Sequence, residues 1–239
     1  MKKALNKKSA VIPTEGGTLR KYLVDIFSEQ ACRRLGGKRR GISSCLAILL
    51  IILVSCNKKT FDNEAALLEY IKDNANGYTQ HKTINGVDYT LMYRPTDMLV
   101  KQELGDSIHA GQVKKLRGKY GKYMYFNLSM SQNNQELLST APKNRNEFGA
   151  MVNQLAFGMG ERVHVYTPAK DTLELADFIY PRLYGMGRAT TIMFVYPRDE
   201  NALKNEYLNF TIEDLGLYTG EVKFKIPTDK LNNEPKLNF

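Results

Sequence analysis

The sequence predicts an α+β protein with an antiparallel, β-sandwich-like core and two or three short helices, preceded by a signal or leader segment. Three observations lead to this class. Several short segments alternate apolar and polar residues, as half-buried strands do, and no regular helices separate them. Asn85-Gly86 lies between two such segments, which is the strongest short-range hairpin signal. An apolar run near the start, residues 42–54, leads directly to Ser55 and a cysteine.

Residues 1–55 are predicted to be a leader with a lipoprotein export signal. A basic cluster at residues 38–40 precedes the apolar run, and such a cluster stays on the cytoplasmic side while the run enters the bilayer. The run of 13 residues, 42–54, has the length of a signal-peptide core and is too short for a comfortable membrane span. Small Ser55 leaves the next bond accessible, so cleavage is predicted between Ser55 and Cys56.

The motif Leu53-Val54-Ser55-Cys56 resembles the lipobox of bacterial lipoproteins. The resemblance implies that the Cys56 thiol receives a lipid and that its new amino group then receives a further acyl chain. Because each buried CH₂ contributes about 0.8 kcal/mol, two or more chains anchor a protein stably. An uncleaved anchor and a buried core helix with an incidental cysteine are the alternatives. Residues 1–37 are long for an ordinary leader, so the start can also lie further downstream.

The net charge belongs mostly to the leader. The chain has 34 Lys/Arg and 25 Asp/Glu, of which residues 1–55 hold 11 and 3, so 23 and 22 remain after the cleavage point. A nearly neutral domain with mixed signs does not have the basic footprint of a nucleic-acid-binding protein. We therefore expect no nucleic-acid partner.

Cysteine usage agrees with export. The chain has three cysteines, Cys32, Cys45 and Cys56, and cleavage removes the first two. The remaining domain then has no thiol for a disulfide, a thiolate metal site or a cysteine nucleophile. A domain of roughly 180 residues can bury enough surface to fold without disulfides.

Behind the leader we predict a polar tether at residues 56–61 and a single globular α+β domain at 62–239. Helical spacing and capping residues predict helices at 62–76, 97–109 and 147–156, with Thr96 capping the second. The basic stretch 114–119 is predicted to be a solvated helix end or turn, with a membrane-surface or partner contact as the alternative. The predicted strands are 78–84, 87–94, 123–131, 163–166, 172–179, 190–196, 207–212 and 221–226.

Few residues suggest catalysis or metal binding. The histidines His81, His109 and His164 lie in separate elements without zinc-site spacing, so we expect no metal and no cofactor. Glu161 near His164 is a possible base and orienter pair, and Asp171 adds a further carboxylate. Isolated acid–histidine neighbours are usually surface residues, so this is the weaker of the site hypotheses.

The chain has fourteen tyrosines and no tryptophan. Tyr123 and Tyr125 fall on the polar side of a predicted strand, where they suit protein or glycan contact or serve as ordinary rim residues. A pocket with converging carboxylates and a raised carboxyl pKa would indicate a hydrolase. A tyrosine-rich patch without such a pair would indicate binding, and a deep apolar cavity between the sheets a ligand carrier.

Three segments resemble a group of uncharacterised bacterial outer-envelope lipoproteins. They are Asn85-Gly86-Val87-Asp88-Tyr89 leading to Tyr93-Arg94-Pro95-Thr96-Asp97, then Tyr125-Phe126-Asn127-Leu128-Ser129, and Gly220-Glu221-Val222-Lys223-Phe224. The resemblance extends over most of the domain after Cys56. It implies an envelope location and a shared fold, and it carries neither an activity nor site residues.

The function predicted from the sequence is that of a lipid-anchored cell-envelope protein with a binding or structural role. The alternative is an envelope hydrolase acting on glycan or peptide. The predicted partners are the membrane, through the lipid on Cys56, and an envelope protein or glycan. Asn57 is not the aspartate associated with inner-membrane retention, which favours the outer membrane. Lys58-Lys59 lacks the acidic run of surface-exported lipoproteins, which favours a periplasm-facing domain.

Overall fold

Two antiparallel β-sheets form the core of the domain in a computed structural model that describes residues 59–105, 109–183 and 186–239. The larger sheet has the order β2-β3-β4-β9-β8, with β5 paired to β4; the smaller is β11-β10-β6-β7; β1 and β12 form a parallel pair. The strands are β1 Thr60–Phe61, β2 Thr79–Ile84, β3 Val87–Arg94, β4 Tyr123–Gln132, β5 Gln135–Glu136, β6 Val163–Tyr166, β7 Thr172–Leu173, β8 Asp177–Ile179, β9 Thr190–Pro197, β10 Tyr207–Ile212, β11 Val222–Pro227 and β12 Lys236–Leu237.

Helices cover the ends and part of one face of the sheets. They are α1 Glu64–Lys72, α2 Thr96–Leu104, α3 Ala110–Tyr120, α4 Leu137–Thr140, α5 Arg145–Asn153 and α6 Thr228–Asn232. The predicted α+β class is confirmed, but the described residues hold six α-helices and not two or three. The additional ones are α3, which is rich in glycine and lysine, and α4 and α6, which have only 4 and 5 residues. None of the helices in the described ranges is long and apolar enough to cross a membrane.

The two sheets pack face to face through aromatic rings. Phe126 of β4 and Phe194 of β9 each lie 5.8 Å, centroid to centroid, from the ring of Phe210 on β10. All three side chains are fully buried. Tilted and edge-on contacts at this distance are the favoured aromatic geometries. The inward face of the larger sheet is therefore the centre of the hydrophobic core, as the predicted sandwich requires.

The hairpin between β2 and β3 follows the sequence prediction closely. Ile84 pairs with Val87 across a two-residue turn, and Asn85 and Gly86 have φ angles of 49° and 74°. Both turn positions need positive φ, which asparagine and glycine adopt most readily. The predicted hairpin turn is confirmed.

The predicted strand 172–179 is wrong as a single strand. Its first part, β7, pairs with β6 in the smaller sheet, and its last part, β8, pairs with β9 in the larger. Residues 174–176 carry the chain from one sheet to the other, and Leu175 packs against the core on the way. Alternation along a segment does not reveal such a change of sheet, because both halves keep the same period.

The predicted helix 97–109 is shorter in the structure: α2 ends at Leu104, and Gly105, with a φ angle of 59°, follows it as the C-cap. The N-cap position falls on Pro95, so Thr96, the predicted cap, is the first helical residue, and its buried Oγ1 makes no hydrogen bond with any described residue. The backbone N–H of Thr96 donates instead to the Glu234 carboxylate at 3.1 Å. A partner more than a hundred residues away supplies the cap, which local capping rules do not detect.

The first and last strands hold the two ends of the described domain together. Thr60–Phe61, predicted to belong to the tether, forms β1 and pairs in parallel with β12. Leu237 donates its backbone N–H to Asp97 Oδ2 at 2.8 Å, and Arg117 donates to both oxygens of Asp97 at 2.7 and 2.6 Å. Tyr93 donates its hydroxyl to Glu234 Oε2 at 2.6 Å. We call the contacts of Glu234 and Leu237 with Tyr93, Thr96 and Asp97 the C-terminal clasp.

Candidate functional site

An open groove lies on the outer face of the larger sheet, the face turned away from the smaller sheet. Its floor consists of outward-facing side chains of β3, β4 and β9: Arg94, Tyr123, Tyr125, Asn127, Thr191, Met193 and Val195. One wall comes from α2 and the end of α3, with Leu99, Gln102, Glu103 and Tyr120; the other comes from β8 and its flanks, with Ala176, Asp177, Ile179 and Pro181. Its volume is about 750 Å³.

Strand alternation explains why these side chains share one surface. Successive residues of a strand point to opposite faces of a sheet, so Tyr123, Tyr125 and Asn127 face outward while Phe126 faces the core. The register places Tyr125 between Arg94 of β3 and Val195 of β9. The floor is thus a short row of neighbouring positions on three adjacent strands.

Three tyrosines form an aromatic cluster at one end of the groove. The ring of Tyr125 lies 6.1 Å from that of Tyr120 and 6.5 Å from that of Tyr123, both in edge-on geometry. Tyr125 is only 5% exposed, and it packs with Leu99 and Val195 in a small apolar cluster separate from the main core. Burial, followed by the neighbouring Tyr120 and Tyr123, raises the pKa of Tyr125 to about 12.

Arg94 gives the floor its cationic group. Its Nη2 donates to Gln102 Oε1 at 3.0 Å, and its Nη1 contacts Met193 Sδ at 3.9 Å. Loss of hydration on burial lowers the pKa of Arg94 from its usual value. The guanidinium nevertheless stays charged at physiological pH, because an arginine pKa begins far above that range.

Glu103 on the α2 wall is a stable carboxylate. It accepts hydrogen bonds from the hydroxyl of Tyr120 and from Lys119 Nζ, the latter at 3.0 Å. The bond from Tyr120, followed by that from Lys119, lowers the pKa of Glu103. A general acid needs the opposite shift, since it must hold its proton near neutral pH.

The weaker sequence hypothesis proposed a site of Glu161, His164 and Asp171. In the structure, the acidic partner of His164 is Glu213 instead. His164 Nε2 lies 3.4 Å from Glu213 Oε1, and Arg162 donates to Glu213 Oε2 at 2.7 Å. Glu161 ends a short 3₁₀ turn at the surface. Asp171 lies in the turn between β6 and β7, where its carboxylate accepts a bond from Thr167 at 3.2 Å.

The resulting group on β6 and β10 is an exposed ion-pair cluster. The side chains of Arg162, His164 and Glu213 are 42%, 39% and 44% exposed. The bond from Arg162, then that from His164, lowers the pKa of Glu213. Exposed pairs of this kind contribute little to stability.

The remaining histidines lie far apart along the described chain. His81 on β2 contacts Thr90 Oγ1 at 2.7 Å, and His109 precedes α3. Within the ranges that the structure describes, no three side chains of His, Cys, Asp or Glu gather into a possible metal site. Ser55 and Cys56, the predicted cleavage and lipidation residues, lie outside the described residues.

Sequence reasoning missed the groove walls and the partner of His164. Alternation along β4 places Tyr123, Tyr125 and Asn127 on one side, but it does not indicate that α2 folds over them. Arg94 and Gln102 lie 8 residues apart on different elements, and Glu213 lies 49 residues from His164. No local pattern connects such pairs, so only the fold reveals them.

Comparison with known proteins does not place the chain in a family. No protein-family model and no curated protein matches it. Among solved structures, the chain is similar to a protein of unknown function from Burkholderia pseudomallei K96243, with a TM-score of 0.36 and 9% sequence identity over 69% of this chain and 83% of that one. The likeness is too low to carry an argument, so the fold and the groove are described from this chain alone.

Proposed function

We propose that this chain is a lipid-anchored protein of the bacterial cell envelope that binds an envelope partner through the outer-sheet groove. Two independent features support the two halves of the proposal. The lipobox-like motif ending at Cys56 supports the anchor. The single observation that supports binding is the tyrosine-lined groove on a sheet whose opposite face holds the core.

The anchor would confine the domain close to a membrane. Only residues 57–59 separate Cys56 from Thr60, the first residue of β1. A chain spans at most about 3.6 Å per residue, so β1 would lie within about 14 Å of the lipid-bearing residue. Confinement of this kind raises the effective concentration of the domain for partners at the same surface. On the sequence features above, that surface is the periplasmic side of the outer membrane.

Binding is a better description of the groove than hydrolysis. Glycan hydrolysis needs a pair of carboxyl groups, one of which keeps its proton through a raised pKa. Two carboxylates line the groove, Glu103 and Asp177, and the pKa of Glu103 is lowered by Tyr120 and Lys119. The tyrosines and the Arg94–Gln102 pair instead provide the aromatic and polar contacts common in recognition surfaces.

Membrane fractionation of two cysteine variants tests the anchor. The full chain is expressed in a bacterium that processes lipoproteins, as the parent and with Cys56→Ser or Cys45→Ser. Cys45 lies in the same leader, so its variant carries the same chemical change without altering the lipidation residue. We expect the parent and Cys45→Ser to be trimmed and to stay in washed membranes. Cys56→Ser should keep its leader and lose the lipid.

The fractionation has a clear negative result. If Cys56→Ser is trimmed and retained in membranes like the parent, lipidation at Cys56 is not what attaches the protein. Metabolic labelling with a fatty-acid analogue separates an uncleaved leader from a true lipid anchor, because only the anchor incorporates the label. The groove is tested separately, below.

A further inference from the structure

We propose that the outer-sheet groove binds an uncharged glycan chain. This inference rests on the binding role proposed above, and it adds the chemical class of the partner. It depends on three features of the groove: its aromatic cluster, its polar groups with unused hydrogen-bonding capacity, and its balanced charge.

The aromatic cluster offers faces and edges to a sugar ring. A pyranose has an apolar C–H face and a rim of hydroxyl groups, so it suits a site that combines aromatic and polar side chains. Tyr120, Tyr123 and Tyr125 lie at centroid spacings of 6.1 and 6.5 Å at one end of the groove. Tyr123 is only partly buried, so part of its ring remains open to contact. Tyr120 is also partly buried, but Lys119 Nζ lies 4.6 Å from its ring centroid, so Tyr123 is the main aromatic surface for a ligand.

Polar groups on the floor and wall match hydroxyl ligands. A guanidinium has five N–H donors, and the contacts of Arg94 with Gln102 and Met193 engage two of its nitrogens. The Asn127 Oδ1 atom is buried and accepts no hydrogen bond from any residue that the structure describes. A buried acceptor without a donor is costly, so a turn of the Asn127 side chain towards the groove, where a ligand hydroxyl can donate to Oδ1, would be favourable.

The charges lining the groove argue against an ionic ligand. Arg94 is the cation among the lining residues, and Glu103 and Asp177 are the anions. Lys119, next to the groove, pairs with Glu103 at 3.0 Å. Arg94 and Asp177 then have no salt-bridge partner among the residues that the structure describes. An acidic polymer would therefore be attracted by Arg94 but repelled by Asp177, and a basic ligand would be attracted by Asp177 but repelled by Arg94.

The shape of the groove separates a glycan from an acyl chain or a peptide. Its volume of about 750 Å³ falls within the range of sites that hold small ligands or short oligomers. An acyl chain would remove water from Arg94, Gln102 and Asn127 without replacing their hydrogen bonds. An extended peptide usually adds to the free edge of a sheet, whereas the floor here is the face of a sheet.

An array of neutral and acidic oligosaccharides, followed by titration calorimetry, tests this inference with the domain beginning at residue 57. The array carries neutral oligomers of glucose and N-acetylglucosamine, matched uronic-acid and sulfated oligomers, and an uncharged peptide. We expect retention of neutral glycans, and we expect Tyr123→Ala to weaken the affinity about tenfold. Tyr123→Phe keeps the ring and should stay within about twofold of the parent.

Tyr207→Ala is the matched control for Tyr123→Ala. Each tyrosine is the first residue of its strand, half-buried and paired with a proline, Pro227 for Tyr207 and Pro197 for Tyr123. Tyr207 lies in the smaller sheet, so its loss should leave glycan affinity unchanged. If Tyr123→Ala does not fold, amide chemical shifts of the parent domain decide, because glycan should shift Thr191 and Val195 and leave Lys223 unmoved.

Three results would overturn the inference: no neutral glycan retained, retention of acidic glycans or of the peptide alone, or an affinity that Tyr123→Ala and Tyr207→Ala change equally. Failure here leaves the anchor proposal intact, because fractionation of the Cys56→Ser variant tests that separately. Success here likewise says nothing about lipidation, so the two proposals fail independently.

Discussion

The two faces of the larger sheet are built from the same strands but differ in role: one forms the core and the other forms the groove. On the inner face, Phe126 and Phe194 are fully buried against the smaller sheet. On the outer face of those strands, Tyr123 and Asn127 border an open groove, with only a small apolar cluster around Tyr125 beneath it. Successive residues of one strand thus belong to the core and to the candidate site in turn.

The contrast between the two faces predicts that one mainly stabilises the fold and the other mainly contacts a ligand, and experiments can test this. Apolar burial supplies most of the free energy of folding, so the inner face should dominate stability. The outer face carries polar atoms and half-exposed rings, which stabilise the fold less but can contact a ligand. Substitutions on the two faces should therefore separate stability from binding.

The largest expected effect is loss of an inner-face ring. Phe126→Ala or Phe194→Ala leaves a cavity at the centre of the sandwich, and we expect each to lower the free energy of unfolding by about 3–5 kcal/mol. Urea denaturation of the domain measures this directly. Tyr123→Ala, on the outer face, should cost clearly less. Equal losses on the two faces would contradict the proposed division.

A smaller effect is expected at the C-terminal clasp, which holds the buried side of α2. Asp97 is 3% exposed and accepts from Arg117 and Leu237. We expect Asp97→Asn to lower the free energy of unfolding by about 2–3 kcal/mol, because Arg117 is 37% exposed and keeps part of its hydration.

Glu103→Gln is the comparison for Asp97→Asn, since Glu103 lies on the groove side of the same helix. Its pair with Lys119 is exposed, so its loss should not measurably change the urea midpoint. If Glu103→Gln destabilises the domain as much as Asp97→Asn does, the contacts of Asp97 on the buried side of α2 are not what mainly fixes this helix.

Alkaline titration compares tyrosines on the two faces. Burial raises the pKa of inner-face Tyr93 well above its usual value, and it raises that of outer-face Tyr125 to about 12. A raised folded-state pKa gives stability that is complete below the unfolded value near 10 and decreases as pH rises. The expected loss is up to about 1.4 kcal/mol per pH unit for each tyrosine.

Phenolate absorbance and urea unfolding measured together on a rising pH series check this prediction. In the folded domain Tyr125 should ionise before Tyr93, and Tyr125→Phe should remove that early step. Ionisation of Tyr93 before Tyr125, or stability that rises with pH in this range, would contradict the prediction that Tyr93 is the more strongly shielded from water.

The smallest effect is expected at the outer face of the smaller sheet. Arg162, followed by His164, lowers the pKa of Glu213 below its usual value of 4.5. A lowered carboxyl pKa stabilises the fold above the usual value, and the contribution disappears as pH falls through the lowered one. Carboxyl NMR should show the low midpoint, and Arg162→Ala should move it towards the usual value. An unmoved midpoint would remove Arg162 as its cause.

Local pattern was sufficient for the hairpin and for the faces of β4. Asn85-Gly86 predicts a turn because positive φ is a property of those residues themselves. The alternation from Tyr123 to Asn127 predicts which side chains share a face, because strand geometry alone determines it. Both signals lie within about ten residues and need no tertiary information.

The groove and the clasp depend on contacts that no local pattern encodes. Glu234 caps α2, and a helix folded over β4 forms a wall of the groove. His164 contacts Glu213, which lies far from it along the chain. Segment 172–179 is divided between two sheets, and Leu175, in the connection between them, packs against the core. Each is decided by packing of distant segments, so the sequence indicated the fold class and the Tyr123–Tyr125 face but not the complete site.

Acylation of Cys56 is the claim on which the proposed location and membrane tethering of the domain depend. Mass spectrometry of the protein extracted from membranes measures it most directly. The account predicts a mature chain that begins at Cys56 and carries the added mass of its acyl chains. A chain that still begins at Met1, or a Cys56 without lipid in membrane-bound protein, would contradict it.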